Sequence, residues 1–154
     1  MPIIKADDAP VRQETPEDCD AELGPYRAVL LSDAGGLSQF GAVLETLPPG
    51  STSSRTHWHE NEDEFVYVLE GTVTLIEGDA SNEMTAGDAA TFKAGVAIGH
   101  CLTNRSTENA VYLVVGARSR DDVVHYPDNG LIQTKTDGEK RLTNLSGAPA
   151  TFET

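Results

Sequence analysis

Cysteine is scarce in this chain: only Cys19 and Cys101 occur among 154 residues. A disulfide framework is therefore not what holds the fold. At this length roughly two thirds of the unfolded surface can be buried, enough for one ordinary domain without a cross-link or a structural metal. Long apolar runs are missing too. None approaches the roughly 18 residues that a membrane span needs, and the opening MPIIKADDAP is too polar for a secretory h-region. Basic residues are few, 11 against 25 acidic, for a formal net charge of −14. Such a field repels nucleic acid and anionic membrane surfaces, so neither is expected as a partner. A cytoplasmic protein with two free thiols is the simplest expectation.

Sustained helical periodicity is also lacking. Short β-prone runs alternate instead with Gly, Pro, Asn and Asp. They are YRAVLL (26–31), LSQFGAVLETL (37–47), EFVYVLE (64–70), TVTLIEG (72–78), AATFK (89–93), HCLTN (100–104) and AVYLVVGAR (110–118). The runs flanking Gly71 look like a hairpin, and GDASN (78–82) reads as a turn. Many short strands at this spacing predict an all-β antiparallel barrel or sandwich, in one domain over 1–154. Its core lies at about 37–117. An acidic arm (1–24) is expected to run over the surface, and an extension (119–154) to pack as irregular strands or hairpins outside the barrel or at a subunit contact. Edge strands of this kind favour a homodimer.

Histidine is rare, four in all, yet two sit one residue apart in RTHWHENEDEF. On a strand, residues i and i+2 share a face. His57 and His59 therefore point one way and Trp58 the other, and two imidazoles on one face can grip one divalent ion. Glu64 opens the next strand after a polar turn and can fold back towards the same point. His100 opens a later strand and supplies a third imidazole. A set of N and O donors suits one divalent ion, Fe, Mn, Ni, Cu or Zn, with positions left for water or substrate.

From the first histidine onward this stretch matches the first motif of the cupin superfamily. His57-Trp58-His59, four residues, Glu64, six residues and Gly71 are in register, while the leading glycine stands one place early at Gly50. Gly87, Gly95, His100 and Asn104 fit the second motif. Lys93 replaces its proline, and two extra residues separate Gly95 from His100. The resemblance covers about 37–117 and implies a single-domain jelly-roll β-barrel with His57, His59, Glu64 and His100 around one metal inside. VYVLEG, AGD and the NRS turn are similar to a group often labelled, by similarity, as sugar-phosphate isomerases.

Several residues carry a second reading. Arg55 shares the parity of His57 and His59, and Arg55 with Lys93 could bind a substrate phosphate or carboxylate, although each reads first as a surface cation. Phe65, Tyr67 and Phe92 read as barrel packing, Asn104 as a turn support, His125 as a surface histidine, and Cys101 as a small buried hydrophobe facing away from the metal. Three functions follow. The first is a metal-dependent enzyme on a small polar metabolite, led by aldose–ketose isomerisation with the ion as Lewis acid. Its proton-carrying base is open between a hydroxide on the ion, Glu60 and Glu62. The second is a non-haem Fe(II) dioxygenase, and the third a non-enzymatic module that binds a small ligand.

Overall fold

The structure, a computed structural model, describes residues 3–5 and 7–152. Thirteen strands follow in order: β1 (Val11–Glu14), β2 (Tyr26–Leu30), β3 (Phe40–Leu47), β4 (Trp58–His59), β5 (Glu64–Glu70), β6 (Thr72–Glu77), β7 (Ala80–Thr85), β8 (Ala89–Phe92), β9 (His100–Thr103), β10 (Ala110–Ala117), β11 (Asp122–Tyr126), β12 (Leu131–Thr136) and β13 (Glu139–Asn144). One helical turn, α1 (Leu31–Ala34), follows β2. No helix among the described residues is long and apolar enough to cross a membrane.

Six strands form one sheet in the order β1-β2-β3-β10-β5-β8. The other side is built from β13-β12-β11-β4 and β7-β6-β9. These two pieces meet where His57 pairs with His100: the His57 N–H donates to the His100 carbonyl at 3.2 Å, and the His100 N–H donates back at 2.9 Å. The architecture is therefore the all-β, two-sheet jelly roll expected from the sequence.

Alternation decides which side chains enter the space between the sheets. Val66 and Val68 of β5, Leu47 of β3 and Tyr112 of β10 meet Val73, Leu75, Met84 and Leu102 from the opposite sheet, all buried. Fully burying an aliphatic side chain of this size stabilises by roughly 1.5–3 kcal/mol. The opposite parity of β5 faces outward. Phe65 and Tyr67 are each 37% exposed there, so of the three aromatics read as barrel packing only Phe92 packs against the core.

Two expectations from the sequence need correcting. β5 and β6 do not form a hairpin: β5 pairs with β10 and β8, whereas β6 pairs with β7 and β9. A single linking residue is too short for a hairpin turn, which needs at least two. Gly71 instead turns a corner between the sheets, at φ +73°. The tight turn lies at Gly78-Asp79, and most of the stretch read as a turn, Ala80–Asn82, is strand β7 paired to β6. The extension beyond 119 is also more regular than expected. It supplies β11, β12 and β13, most of the four-stranded sheet. Of the N-terminal arm, residues 11–14 pair as β1 on the edge of the first sheet, while residues 1, 2 and 6 lie outside the described residues.

Candidate metal centre

His57, just before β4, and His59, within it, point into the barrel as their parity requires. Glu64 shares the inward parity of Val66 and Val68 at the start of β5. His100 opens β9, held beside His57 by the backbone bridge between the two sheets. The two extra residues before His100 are absorbed by the 93–99 loop, in which the Gly78 N–H donates to the Gly99 carbonyl at 2.9 Å.

The donor atoms of His57, His59 and Glu64 lie within 4.8 Å of one another, and His100 joins them through Glu64. The Nε2 atoms of His57, His59 and His100 lie 3.7, 3.8 and 2.9 Å from Glu64 Oε2. The outer ring nitrogens are already committed. His57 Nδ1–H donates to the Arg55 carbonyl at 2.9 Å, and His59 Nδ1–H donates to Asp122 Oδ2 at 2.6 Å. Those bonds select the tautomer whose Nε2 lone pair faces inward. Two imidazole lone pairs then face a carboxylate, an arrangement of acceptors only that calls for a cation. Phe92 stacks flat on the His100 ring, 3.5 Å between centroids, and fixes its plane.

The electrostatics agree. Burial is the main cause holding the His57 imidazole below its ordinary 6.5, against the pull of Glu64 and the Arg55 carbonyl, so it favours the neutral, ligand-competent form. Burial pushes the Glu64 carboxyl up, but the His100 hydrogen bond and the three imidazoles outweigh it and hold Glu64 below its ordinary 4.5. Both folded values lie below the unfolded ones, so the folded chain binds fewer protons at these groups than the unfolded chain does. The stability they contribute is present above about pH 6.5. It is lost as pH falls, first through the histidine range and then the carboxylate range. The thermal midpoint of metal-free protein should accordingly drop between pH 7 and pH 4 in a scanning-calorimetry series. A flat midpoint across that window would contradict this electrostatic picture.

Asp122 could not be found from the sequence, because 63 residues separate it from His59. It is 2% exposed, and its second oxygen accepts the Asn61 N–H at 2.9 Å. One carboxylate thus orients the imidazole and ties down the loop before Glu64. Carboxylates in this position behind a metal-binding histidine matter by about 10–100-fold in metal affinity. Asp122→Asn should weaken binding by that order in a competition titration with a chromophoric chelator, while the protein stays folded.

The remaining predicted site residues part company. Arg55 and Lys93 do not form one anion site. Arg55 faces a cavity of about 420 Å³ with Arg12, Tyr26 and Tyr126, where its guanidinium contacts Asp20 at 2.9 Å, Glu22 at 3.1 Å and the Phe152 ring at 4.5 Å. Lys93 is exposed and lines a separate cavity of about 480 Å³ beside Phe40 and Phe65. Of the two candidate bases Glu60 is exposed, whereas Glu62 lies beside the site, its Oε2 3.8 Å from His59 Nδ1 and its side chain lining a cavity with Glu64 and His100. Glu60 pairs with His125 at 2.7 Å, which in turn stacks on Trp58, and Glu62 pairs with Lys135. Asn104 is fully buried and supports a turn: its amide donates to the Leu47 and Glu108 carbonyls, and its oxygen accepts from Ser106. Cys101 is buried outside the ligand set.

A small inner cavity of about 140 Å³ opens beside these candidate ligands and is lined by His57, Glu64, Phe92 and His100. Glu45, Ser53 and Ser54 line both this cavity and the 420 Å³ one, so the two meet at those residues. The sequence reading passed over Glu45. Its one signal is a charge at an inward position of β3, two residues before the buried Leu47.

Comparison with known proteins agrees with this geometry. The family model described as Cupin domain matches residues 43–116. A solved structure from Silicibacter pomeroyi, a sugar phosphate isomerase from a cupin superfamily, is 34% identical, covers 97% of each chain and superposes with a TM-score of 0.88. This chain belongs to the cupin superfamily. A candidate sugar phosphate isomerase from Acidithiobacillus ferrooxidans is 33% identical, with 84% of this cupin and 82% of that chain covered and a TM-score of 0.76. The polyketide cyclase RemF from Streptomyces resistomycificus shares the fold, at 21% identity, with a TM-score of 0.61 over 77% of this chain and 80% of its own. Among curated proteins, none matches this cupin in sequence. Metal binding is common among cupins, and the His57, His59 and Glu64 donor atoms of this one lie within 4.8 Å of one another, close enough to hold an ion.

Proposed function

We propose that this cupin is a metal-dependent enzyme acting on a small polar metabolite, and that its reaction is aldose–ketose isomerisation of a sugar phosphate. One divalent ion per chain, Zn, Fe, Mn or Ni, would be held by His57, His59, Glu64 and His100. The observation that carries this reading is the convergence of three imidazole Nε2 atoms on one Glu64 oxygen at the wall of a small cavity. The chemistry supplied by such an ion is Lewis-acid polarisation of adjacent carbonyl and hydroxyl oxygens, which favours an enediolate.

The protein's own residues arrange the substrate. The inner cavity has room for the reacting carbons and not for a whole sugar phosphate. The rest would extend past Ser53 and Ser54 into the larger cavity, whose cations are Arg12 and Arg55, the latter paired with Asp20 and Glu22. The name of the 34% identical Silicibacter structure supports the same substrate class.

The test is a panel of aldose and ketose phosphates of three to six carbons, incubated with protein loaded in turn with each metal. Interconversion of one pair, absent without metal, is the expected result. Oxygen consumption with Fe(II) and no isomerisation would overturn the reading in favour of a dioxygenase. Tight binding of a panel member without turnover would favour a ligand-binding module.

A further inference from the structure

Glu45 lines the inner cavity together with the candidate ligands His57, Glu64 and His100. It lies on β3 directly opposite Tyr112 of β10 in the strand register. The Tyr112 hydroxyl donates to Glu45 Oε2 at 2.8 Å. Tyr112 is fully buried, and Ser53 lines the same cavity. The phenol therefore fixes one oxygen of a carboxylate that lines the cavity. Glu45 is also where the inner and outer cavities join, so a substrate entering from the outer cavity passes it. It is the carboxylate of the inner cavity that the ligand set does not use.

A carboxylate in that place is unusual without a task. Burying an acid among Val66, Val114 and Phe92 costs free energy that an apolar residue would not. Buried acids whose ionisation is shifted concentrate where protons are moved. We propose that Glu45, held by Tyr112 in the cavity it shares with His57, Glu64 and His100, is the residue that carries the proton in the isomerisation, with Tyr112 as its positioning partner. The assignment rests on the isomerase reading of the same site.

The step balances. One Glu45 oxygen accepts the proton from the carbon next to the carbonyl. The electron pair of that C–H bond becomes the new C=C bond, and the carbonyl π pair moves onto its oxygen. Glu45 then returns the proton to the former carbonyl carbon, while the hydroxyl proton of the first carbon passes between the two oxygens. One carbon-bound and one oxygen-bound proton have moved, and no oxidant or reductant is used.

The surroundings shift this carboxyl towards holding a proton. Burial raises the Glu45 carboxyl above its ordinary 4.5, and Glu64 on β5 adds to this, while the Tyr112 hydrogen bond and the Arg12 guanidinium on β1 act against it. Tyr26 on β2 also faces this group.

The experiment compares wild type with Glu45→Gln and Glu45→Asp, all metal-loaded. Gln still accepts the Tyr112 hydrogen bond, so the fold should hold. Metal content by elemental mass spectrometry should be unchanged in both variants. Proton NMR in D₂O should show wild type incorporating deuterium at the carbon next to the carbonyl of the sugar phosphate it turns over. In Glu45→Gln, exchange and kcat should fall together by about 10²–10⁴-fold with KM little changed. Glu45→Asp, with its carboxylate drawn back, should keep part of the rate. Independently of turnover, ¹³C NMR of labelled glutamate should show a carboxyl titrating above the ordinary range that disappears in Glu45→Gln.

A Glu45→Gln variant within about threefold of wild type overturns the assignment and leaves the isomerase reading standing. So does a Glu45 carboxyl that titrates at its ordinary value. A fully metal-loaded wild type that exchanges no proton on any panel member overturns the isomerase reading, and this assignment with it.

Discussion

A His57→Ala/His59→Ala variant should retain no divalent ion under conditions where wild type holds about one per chain. Two of the four converging donors come from these side chains. Their outer nitrogens are anchored by the Arg55 carbonyl and Asp122, which aims both Nε2 atoms at Glu64. His125, the fourth histidine, is engaged with Glu60 and Trp58. What remains, Glu64 and His100, is a two-donor site, which cannot close around an ion. Elemental mass spectrometry on tag-free protein reads the stoichiometry directly. A second readout comes from mass action: adding metal at 100 times its Kd should stabilise wild type by about 2.7 kcal/mol, and the variant not at all. Equal metal content in both proteins would place the ion elsewhere and remove the basis of the proposed function.

The largest loss of stability from a single methyl group is expected at Gly71. Its φ of +73° lies in the left-handed region, where a side chain costs roughly 1–2 kcal/mol. Space is the larger obstacle. A Cβ at Gly71 would sit 2.5 Å from the Asn109 carbonyl oxygen and 3.1 Å from Ala110 Cα, both backbone atoms. The corner between the two sheets would have to move, and overpacking of that kind costs about 1–3 kcal/mol more. Gly71→Ala should therefore lose about 2–5 kcal/mol, a large share of a domain's typical total of about 5–15 kcal/mol. Gly50→Ala is the control. Gly50 has a similar φ of +81°, yet nothing lies within 4 Å of its would-be Cβ. Its loss should be about 1 kcal/mol, from conformation alone. Urea denaturation midpoints of the three proteins measure the difference, and equal midpoints for the two variants would contradict the steric argument.

Gly71 also shows where reading a chain succeeds and where it stops. Strand β5 was legible to the residue, because EFVYVLE alternates between a buried and an outward face. The link from β5 to β6 was not, because alternation says that a run is a strand and not which strand it joins. Two runs separated by one glycine look like a hairpin until the sheets are known. GDASN misled for a related reason. Polar residues suit both a loop and the exposed strand β7, whose sole buried residue is Met84.

The metal centre divides the same way. His57, His59 and Glu64 fall within eight consecutive residues, and the two-residue repeat of a strand already puts both imidazoles on one face. The sequence by itself determined the strand-rich fold, the face those histidines share and the acidic charge. All of these follow from local geometry and composition. Only the tertiary structure decided that Asp122 orients His59, that Arg55 and Lys93 face different cavities, and that Glu45 and Tyr112 meet beside the ligands. Those pairings depend on strand register and on the packing of one sheet over the other, which bring together residues 63 and 67 positions apart. Contacts at such separations are set by the closure of the whole barrel, and no periodicity within a single segment encodes them.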